Sequence, residues 1–170
     1  MTDNLPTNTE SPKKVQQNRI IFVLNEDDKT AKIVGNDFIT GHVYIPRSIK
    51  YGTSEYIITS IEDRSFEYTT SIKTITFSED SEIRIIGKYA FLRSSFGKIV
   101  IPRHVTKICE GAFYECSHLY HVTFQNFSEL NTIEKSAFNS SSVCNLSLPS
   151  SVTNLEEGWC QYTSKLNKIT

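Results

Sequence analysis

At 170 residues and 19.4 kDa, with 38% hydrophobic and 11% aromatic side chains, the chain carries enough apolar material for one domain and too little length for two. Eighteen basic residues against nineteen acidic ones leave a formal charge of -1, and the longest Lys/Arg run is Lys13-Lys14, which argues against a nucleic-acid partner. The longest apolar stretch, Ile20 to Leu24, falls far short of the ~20 residues of a membrane-spanning helix and of the roughly 7 to 15 of a signal-peptide core, so the chain as written reads as soluble, with no signal peptide and no membrane insertion.

Residues 1–17 are rich in Thr, Asn, Ser and Pro, show no apolar period, and are expected to form a disordered tail. Residues 18–42 follow as an N-terminal β cap. There Arg19-Ile20-Ile21-Phe22-Val23-Leu24, the polar turn Asn25-Glu26-Asp27-Asp28-Lys29, and Thr30-Ala31-Lys32-Ile33-Val34 read as strand, turn, strand. Such a hairpin shields the first core layer of a repeat stack from water.

Residues 43–170 are dominated by internal self-similarity. Apolar doublets recur at Val43/Ile45, Ile75/Phe77, Ile99/Ile101, Val122/Phe124 and Leu146/Leu148, and Ile169 opens a sixth; from Ile75 onward their first members lie 24, 23, 24 and 23 residues apart. Two sub-types alternate. One begins with proline, as in Ile101-Pro102-Arg103-His104-Val105-Thr106-Lys107-Ile108 and Leu148-Pro149-Ser150-Ser151-Val152-Thr153-Asn154-Leu155. The other is longer and more polar, running Phe77 to Ile86 and Phe124 to Ile133 around the shared cores Ser81-Glu82-Ile83 and Ser128-Glu129-Leu130.

Each unit then places a small residue before an aromatic, at Ser65-Phe66, Ala90-Phe91, Ala112-Phe113 and Ala137-Phe138; in the last unit Trp159 takes the small position and Cys160 the aromatic one. A closing apolar residue follows at Ile72, Phe96, Leu119, Val143 and Leu166. No unit of this length can bury its own apolar side chains, so the units must stack. Stacking turns each doublet into a short strand of a parallel sheet with its apolar members inward, and puts Phe66, Phe91, Phe113, Phe138 and Cys160 one above another as a core ladder. Proline after the doublet suits this arrangement, because a residue without an N–H leaves the ladder there.

The run Ile101-Pro-x-x-Val-Thr-x-Ile-x-x-Gly-Ala-Phe-x-x-Cys-x-x-Leu119 resembles the BspA-type leucine-rich repeat. Ile45-Pro46-Arg47-Ser48-Ile49-Lys50-Tyr51-Gly52 followed by Tyr56-Ile57-Ile58-Thr59-Ser60-Ile61 is similar to that family's enlarged first repeat. The resemblance covers roughly Val43 to Thr170. It implies a mainly β leucine-rich-repeat horseshoe of about five units, and a cell-surface, adhesin-like or surface-antigen-like protein that contacts a host matrix or cell-surface protein.

Ile169 with the edges of Leu148 and Leu166 would form an uncovered end, which leads to the expectation that this end stacks on another chain or that the array is a piece of a longer one. The cysteines Cys109, Cys116, Cys144 and Cys160 read as free thiols, with a Cys109–Cys116 bridge as the alternative in an oxidising space. Cys116, His118 and His121 are ligand types close together, but the repeat register accounts for each separately, and no cofactor or metal is expected. No activating context surrounds any Ser or Cys near His42, His104, His118 or His121, so no catalytic group is expected. Glu26-Asp27-Asp28 and Glu79-Asp80-Ser81-Glu82 lack the spacing of a calcium loop. Asn126, Asn139 and Asn145 begin formal glycosylation triplets that matter only in a secreted protein.

What remains is the surface the strands repeat. Residues between and beside the inward doublets point outward in two columns, one of His42, Thr74, Lys98, His121 and Asn145, the other of Tyr44, Thr76, Val100, Thr123 and Ser147. These ten are the ligand-facing candidates for polar contact with a protein partner, and the alternative is a sheet that is merely solvated. End-to-end assembly is the second functional expectation.

Overall fold

The computed structural model describes residues 12–169, the last two by backbone alone. Fifteen strands run in chain order: β1 Lys13–Gln17, β2 Ile20–Asn25, β3 Thr30–Asn36, β4 Gly41–Ile45, β5 Ser48–Tyr51, β6 Ser54–Ile61, β7 Ile72–Phe77, β8 Ile85–Ile86, β9 Lys98–Ile101, β10 Lys107–Ile108, β11 His121–Phe124, β12 Thr132–Ile133, β13 Asn145–Leu146, β14 Asn154–Leu155 and β15 Lys168–Ile169. No helix occurs among the described residues. The chain winds as a β-solenoid of about five coils with parallel strands.

The doublets form β4, β7, β9, β11 and β13, as their alternation requires: Val43, Ile45, Ile75, Ile99, Ile101, Val122 and Leu146 are buried, while Phe77, Phe124 and Leu148 are half-buried. β9 and β4 end immediately before Pro102 and Pro46, where the ladder loses its donor. A second parallel ladder, absent from the expectation drawn from the doublets alone, runs β6, β8, β10, β12, β14. It buries Ile61, Ile86, Ile108 and Ile133 against the first, so that each coil closes a narrow core between two strand layers.

At its N-terminal end this second ladder continues through β3 into the antiparallel hairpin β2–β3, which spans Ile20 to Asn36. The stretch expected as a tail needs correction. Lys13–Gln17 is a strand pairing with β2 from Lys13↔Leu24 to Gln17↔Ile20, and residues 1–11 lie outside those described. The sequence Lys-Lys-Val-Gln-Gln has no alternation of its own; it is recruited by the exposed edge of β2 and tied by Glu26, which accepts from Tyr56 Oη at 2.5 Å, Lys29 Nζ at 2.9 Å and Lys13 Nζ at 3.3 Å. The Tyr56 hydroxyl, with the two lysines, holds the Glu26 carboxyl down at about 2.

The bend between the second ladder and the next coil is where the coils grip each other most closely. Phe66, Phe91, Phe113 and Phe138 are at most 1% exposed and stack with centroids 5.3, 5.3 and 5.0 Å apart and planes inclined by 8°. Cys160, placed on the next rung by the register, is only half-buried, and the ring that meets Phe138 there is Trp159, edge-on at 6.2 Å. A thiol is too small to continue a stack of phenyl rings, so the indole from the neighbouring position covers the last one.

The backbone of this bend repeats as well. Two positions per coil take a left-handed conformation: Arg64, Tyr89, Gly111, Ser136 and Gly158 at the first, and Tyr68, Arg93, Glu115, Ser140 and Tyr162 at the second. Left-handed residues aim alternate N–H groups along the solenoid axis, so Tyr89, Phe91 and Arg93 donate to Glu110, Ala112 and Tyr114 of the next coil at 3.0, 2.8 and 3.0 Å. The same bonds run from Gly111, Phe113 and Glu115 to Lys135, Ala137 and Asn139 at 3.1, 2.7 and 2.9 Å. A non-glycine residue in this region costs roughly 1 kcal/mol, which three inter-coil bonds per step offset. At Gly111 a Cβ would also lie 2.3 Å from the Tyr89 ring, which explains glycine there.

Behind the rings stands a column of small polar side chains, Thr69, Ser94, Cys116, Ser141 and Thr163, all buried. Ser94 Oγ and Cys116 Sγ donate to the Phe66 and Phe91 carbonyls of the preceding coil at 2.8 and 3.0 Å, and Thr163 Oγ1 to Phe138 O at 2.9 Å. Ser141 Oγ is buried with no partner among the described residues. A buried hydroxyl left unpaired costs about 1–3 kcal/mol, whereas a satisfied one contributes about 1. Ser94→Ala should therefore lower the stability read from urea unfolding by about 1 kcal/mol, while Ser141→Ala should leave it unchanged or raise it; the reverse order would contradict the column. Phe113→Ala, which opens a cavity in the middle of the ring stack, should cost about 3–5 kcal/mol in the same assay. Replacing exposed Thr123 or Asn145 should cost under about 0.5 kcal/mol, and equal losses from the two classes would mean that inside and outside are wrongly assigned.

Candidate functional site

The ten outward residues occupy the first ladder in the order that the repeat dictates. His42 faces Thr74 and Tyr44 faces Thr76 across β4–β7; His121 faces Lys98 and Thr123 faces Val100 across β9–β11; Asn145 continues from His121. All are exposed except Thr74, which is half-buried and shares a 2.8 Å hydrogen bond with His42 Nδ1. Ser147 follows the last residue of β13 and is exposed. Two apolar groups interrupt this polar face, Tyr44 at 58% exposure and Val100 at 49%.

Two features of the face had no counterpart in the doublet pattern. The pairing of β4 with β7 shifts register between Gly41 and His42, leaving Lys73 as an extra, exposed residue opposite no partner. Further along, β7 and β9 lie side by side but belong to separate sheets, β4–β7 and β9–β11–β13–β15. At this break sits a cavity of about 190 Å³ between Ile75, Thr76, Phe77, Val100 and Gln125. The departure of Lys73 from strict alternation was the sequence signal for the bulge; nothing in the sequence marked the break.

Charge is distributed unequally between the two ladders. No Asp or Glu lies in β4, β7, β9, β11, β13 or β15, whereas the strands carry His42, Lys73, Lys98, His121 and Lys168. Along the second ladder cations stand beside carboxylates: Lys107 Nζ lies 2.6 Å from Glu134, and Lys88 and Lys135 lie 3.3 and 3.2 Å from Glu110. Carboxylates there also accept backbone N–H groups of adjacent coils, Glu134 from Glu110 at 2.8 Å and Glu156 from Lys135 at 3.0 Å. Partial burial raises the Glu110 and Glu134 carboxyls, but the lysines beside them win and hold both below the usual carboxylate range.

The other chemistry considered from sequence is not brought together. Cys116 is buried with its thiol pushed up to about 12 by burial and directed at a carbonyl, while His118 and His121 are exposed and His118 contacts Ser117 Oγ at 3.2 Å. Among the described residues no three His, Cys, Asp or Glu side chains converge as a metal site would require. All four cysteines are free thiols; burial pushes Cys109 up to about 11, which makes it a poor nucleophile. Among the described residues no helix is long and apolar enough to cross a membrane.

The comparisons agree with the coil geometry. Six copies of the BspA type leucine rich repeat region match residues 41–170. A search of curated proteins found no match. Among solved structures, the pneumococcal vaccine antigen PcpA is 23% identical with a TM-score of 0.73 over 95% of this chain and 50% of its own. A leucine-rich repeat protein of Bacteroides ovatus is 20% identical, with a TM-score of 0.80 over 92% of this chain and 40% of its own. A leucine rich cell surface protein of Faecalibacterium prausnitzii is 22% identical, with a TM-score of 0.53 over 95% and 55%. The chain thus spans about half or less of the length of the first two, and these likenesses share a fold. With residues 41–170, about three quarters of its length, matched by six repeat copies, the chain belongs to the BspA-type leucine-rich-repeat family.

Proposed function

We propose that the chain is a non-catalytic protein-binding module, surface-antigen-like, which recognises a protein partner through the outward face of its first parallel ladder. The observation that carries this reading is the pair of exposed columns on a rigid stack, in which backbone ladders and the ring stack fix side-chain positions before any partner arrives, reducing the ordering cost of association. Mixed hydroxyls, imidazoles and a lysine around Tyr44 and Val100 match the composition of a polar protein interface with a few apolar contacts. The vaccine antigen and the cell-surface protein among the structural relatives support a position at the cell surface, where a host matrix or cell-surface protein would be met.

The second reading is end-to-end assembly through the uncapped C-terminal repeat, and the outer edge of β4 offers a further contact for it. Among the described residues β4 pairs with β7 alone, so a strand from another copy could add to its other edge. Capture of extracellular-matrix proteins by the immobilised chain separates the two. Replacing Lys98, His121 and Thr123 together with Ala should abolish capture while leaving the melting temperature unchanged. Capture that survives this variant, with light scattering showing mass rising with concentration, would favour assembly over sheet recognition.

A further inference from the structure

The strands of the first ladder carry lysines and no carboxylate, and that asymmetry specifies a ligand. On the opposite side of the coil, lysines and arginines are neutralised within the molecule in several places, as Lys107 is by Glu134, Lys88 by Glu110, and Arg93 by Glu115 at 2.6 Å. Lys73 and Lys98 are exposed on neighbouring strands, and neither ammonium group makes a hydrogen bond or ion pair with any described residue. The bulge that displaces Lys73 brings it beside the row containing Thr74, which in the repeat is the row of Lys98 and His121. Lys98 faces His121 across paired strands about 4.8 Å apart, and Lys73 stands on β7 beside β9, so the two lysines with His121 form a short strip whose charge is available to something outside the chain.

The strip adjoins an apolar recess. Val100 is two residues from Lys98 on β9 and projects from the same face, and it forms one wall of the cavity at the break between β7 and β9 with Ile75 and Phe77. At about 190 Å³ this cavity is smaller than the roughly 300–1,000 Å³ of small-molecule pockets and suits one inserted side chain. Resting on the reading of this face as a protein-binding surface, we infer that its partner is an acidic polypeptide segment, with Asp or Glu side chains against Lys73, Lys98 and His121 and one apolar anchor in the Ile75–Phe77–Val100 recess. A carboxylate-free face repels no acidic group, and an apolar anchor gives the register that charge attraction alone does not. A sulfated polysaccharide would answer the charge but would leave the recess unfilled.

The test is fluorescence anisotropy of the full chain with a labelled Asp-rich peptide carrying a single Leu, alongside its Asn-rich counterpart, the same Asp-rich peptide with Ser in place of Leu, and heparin. The Asp-rich Leu peptide should bind at least tenfold more tightly than the Asn-rich one, and severalfold more tightly than the Ser version, with affinity falling as salt rises. Lys73→Glu with Lys98→Glu should weaken it at least tenfold and Val100→Ser severalfold, all with unchanged melting temperature, while Lys135→Glu on the other ladder should have no effect. Equal binding of the Asn-rich peptide, indifference to the Lys73 and Lys98 changes, or binding of heparin but not peptide would overturn the inference. Matrix-protein capture that is lost in the Lys98/His121/Thr123 variant while the acidic peptide is not bound would sink the acidic specificity and leave sheet recognition standing. Capture unaffected by that variant would sink the sheet reading itself.

Discussion

Everything in this molecule depends on the coils staying in register at the phenylalanine bend. There three constraints coincide: rings stacked about 5 Å apart, left-handed residues that turn alternate N–H groups toward the next coil, and small polar side chains that reach back to the preceding one. The axial spacing of the rings and of the strands must agree, because a solenoid whose bend repeats at a different pitch from its sheets cannot close a core. They do agree, and this frees the rest of the coil to vary. The alternation of a proline-led arm with a longer polar one changes the length of the outer segments without moving the rings, since both sub-types end at an equivalent buried isoleucine, Ile86, Ile108 or Ile133, except in the last coil, where Leu155 is exposed.

The two ladders divide the remaining work. The second turns its charges upon itself: carboxylates take lysines and backbone N–H groups of adjacent coils, so this surface is saturated and adds little beyond solvation to stability. The first keeps its backbone in order through pairing and leaves the Lys73 and Lys98 ammonium groups uncommitted among the described residues. Rigidity is supplied by one side of the coil and contact chemistry is displayed by the other, which is how a repeat protein can keep its architecture while its recognition surface changes.

Much of this was legible in the sequence because the strongest constraint is also the most periodic. Phe66, Phe91, Phe113 and Phe138 keep step, and the doublets alternate, so coil number, ring stack and outward columns could be read directly. The second ladder escaped notice because its strands after β6 are two residues long; Ile85-Ile86 or Thr132-Ile133 is too short to show a period of two, although the apolar ends Ile86, Ile108 and Ile133 marked its buried residues. The left-handed positions carry Arg, Tyr, Ser and Glu as often as Gly, so no residue type announced them. Lys13–Gln17 has no strand pattern because its order comes from β2. The one-signed charge of the candidate face emerged only when pairing placed Lys73 beside the column, which the two columns taken alone did not include.

The most direct measurement of the central claim is native-state amide hydrogen exchange across the bend. If inter-coil bonding there holds the register, the amides of Phe91, Arg93, Phe113 and Glu115, which lie in segments that local appearance would class as turns, should exchange as slowly as those of Ile99 and Val122 in the strands and be released only on global unfolding. Exchange of these amides at the rate of the exposed hairpin turn at Asp27 and Asp28 would contradict it.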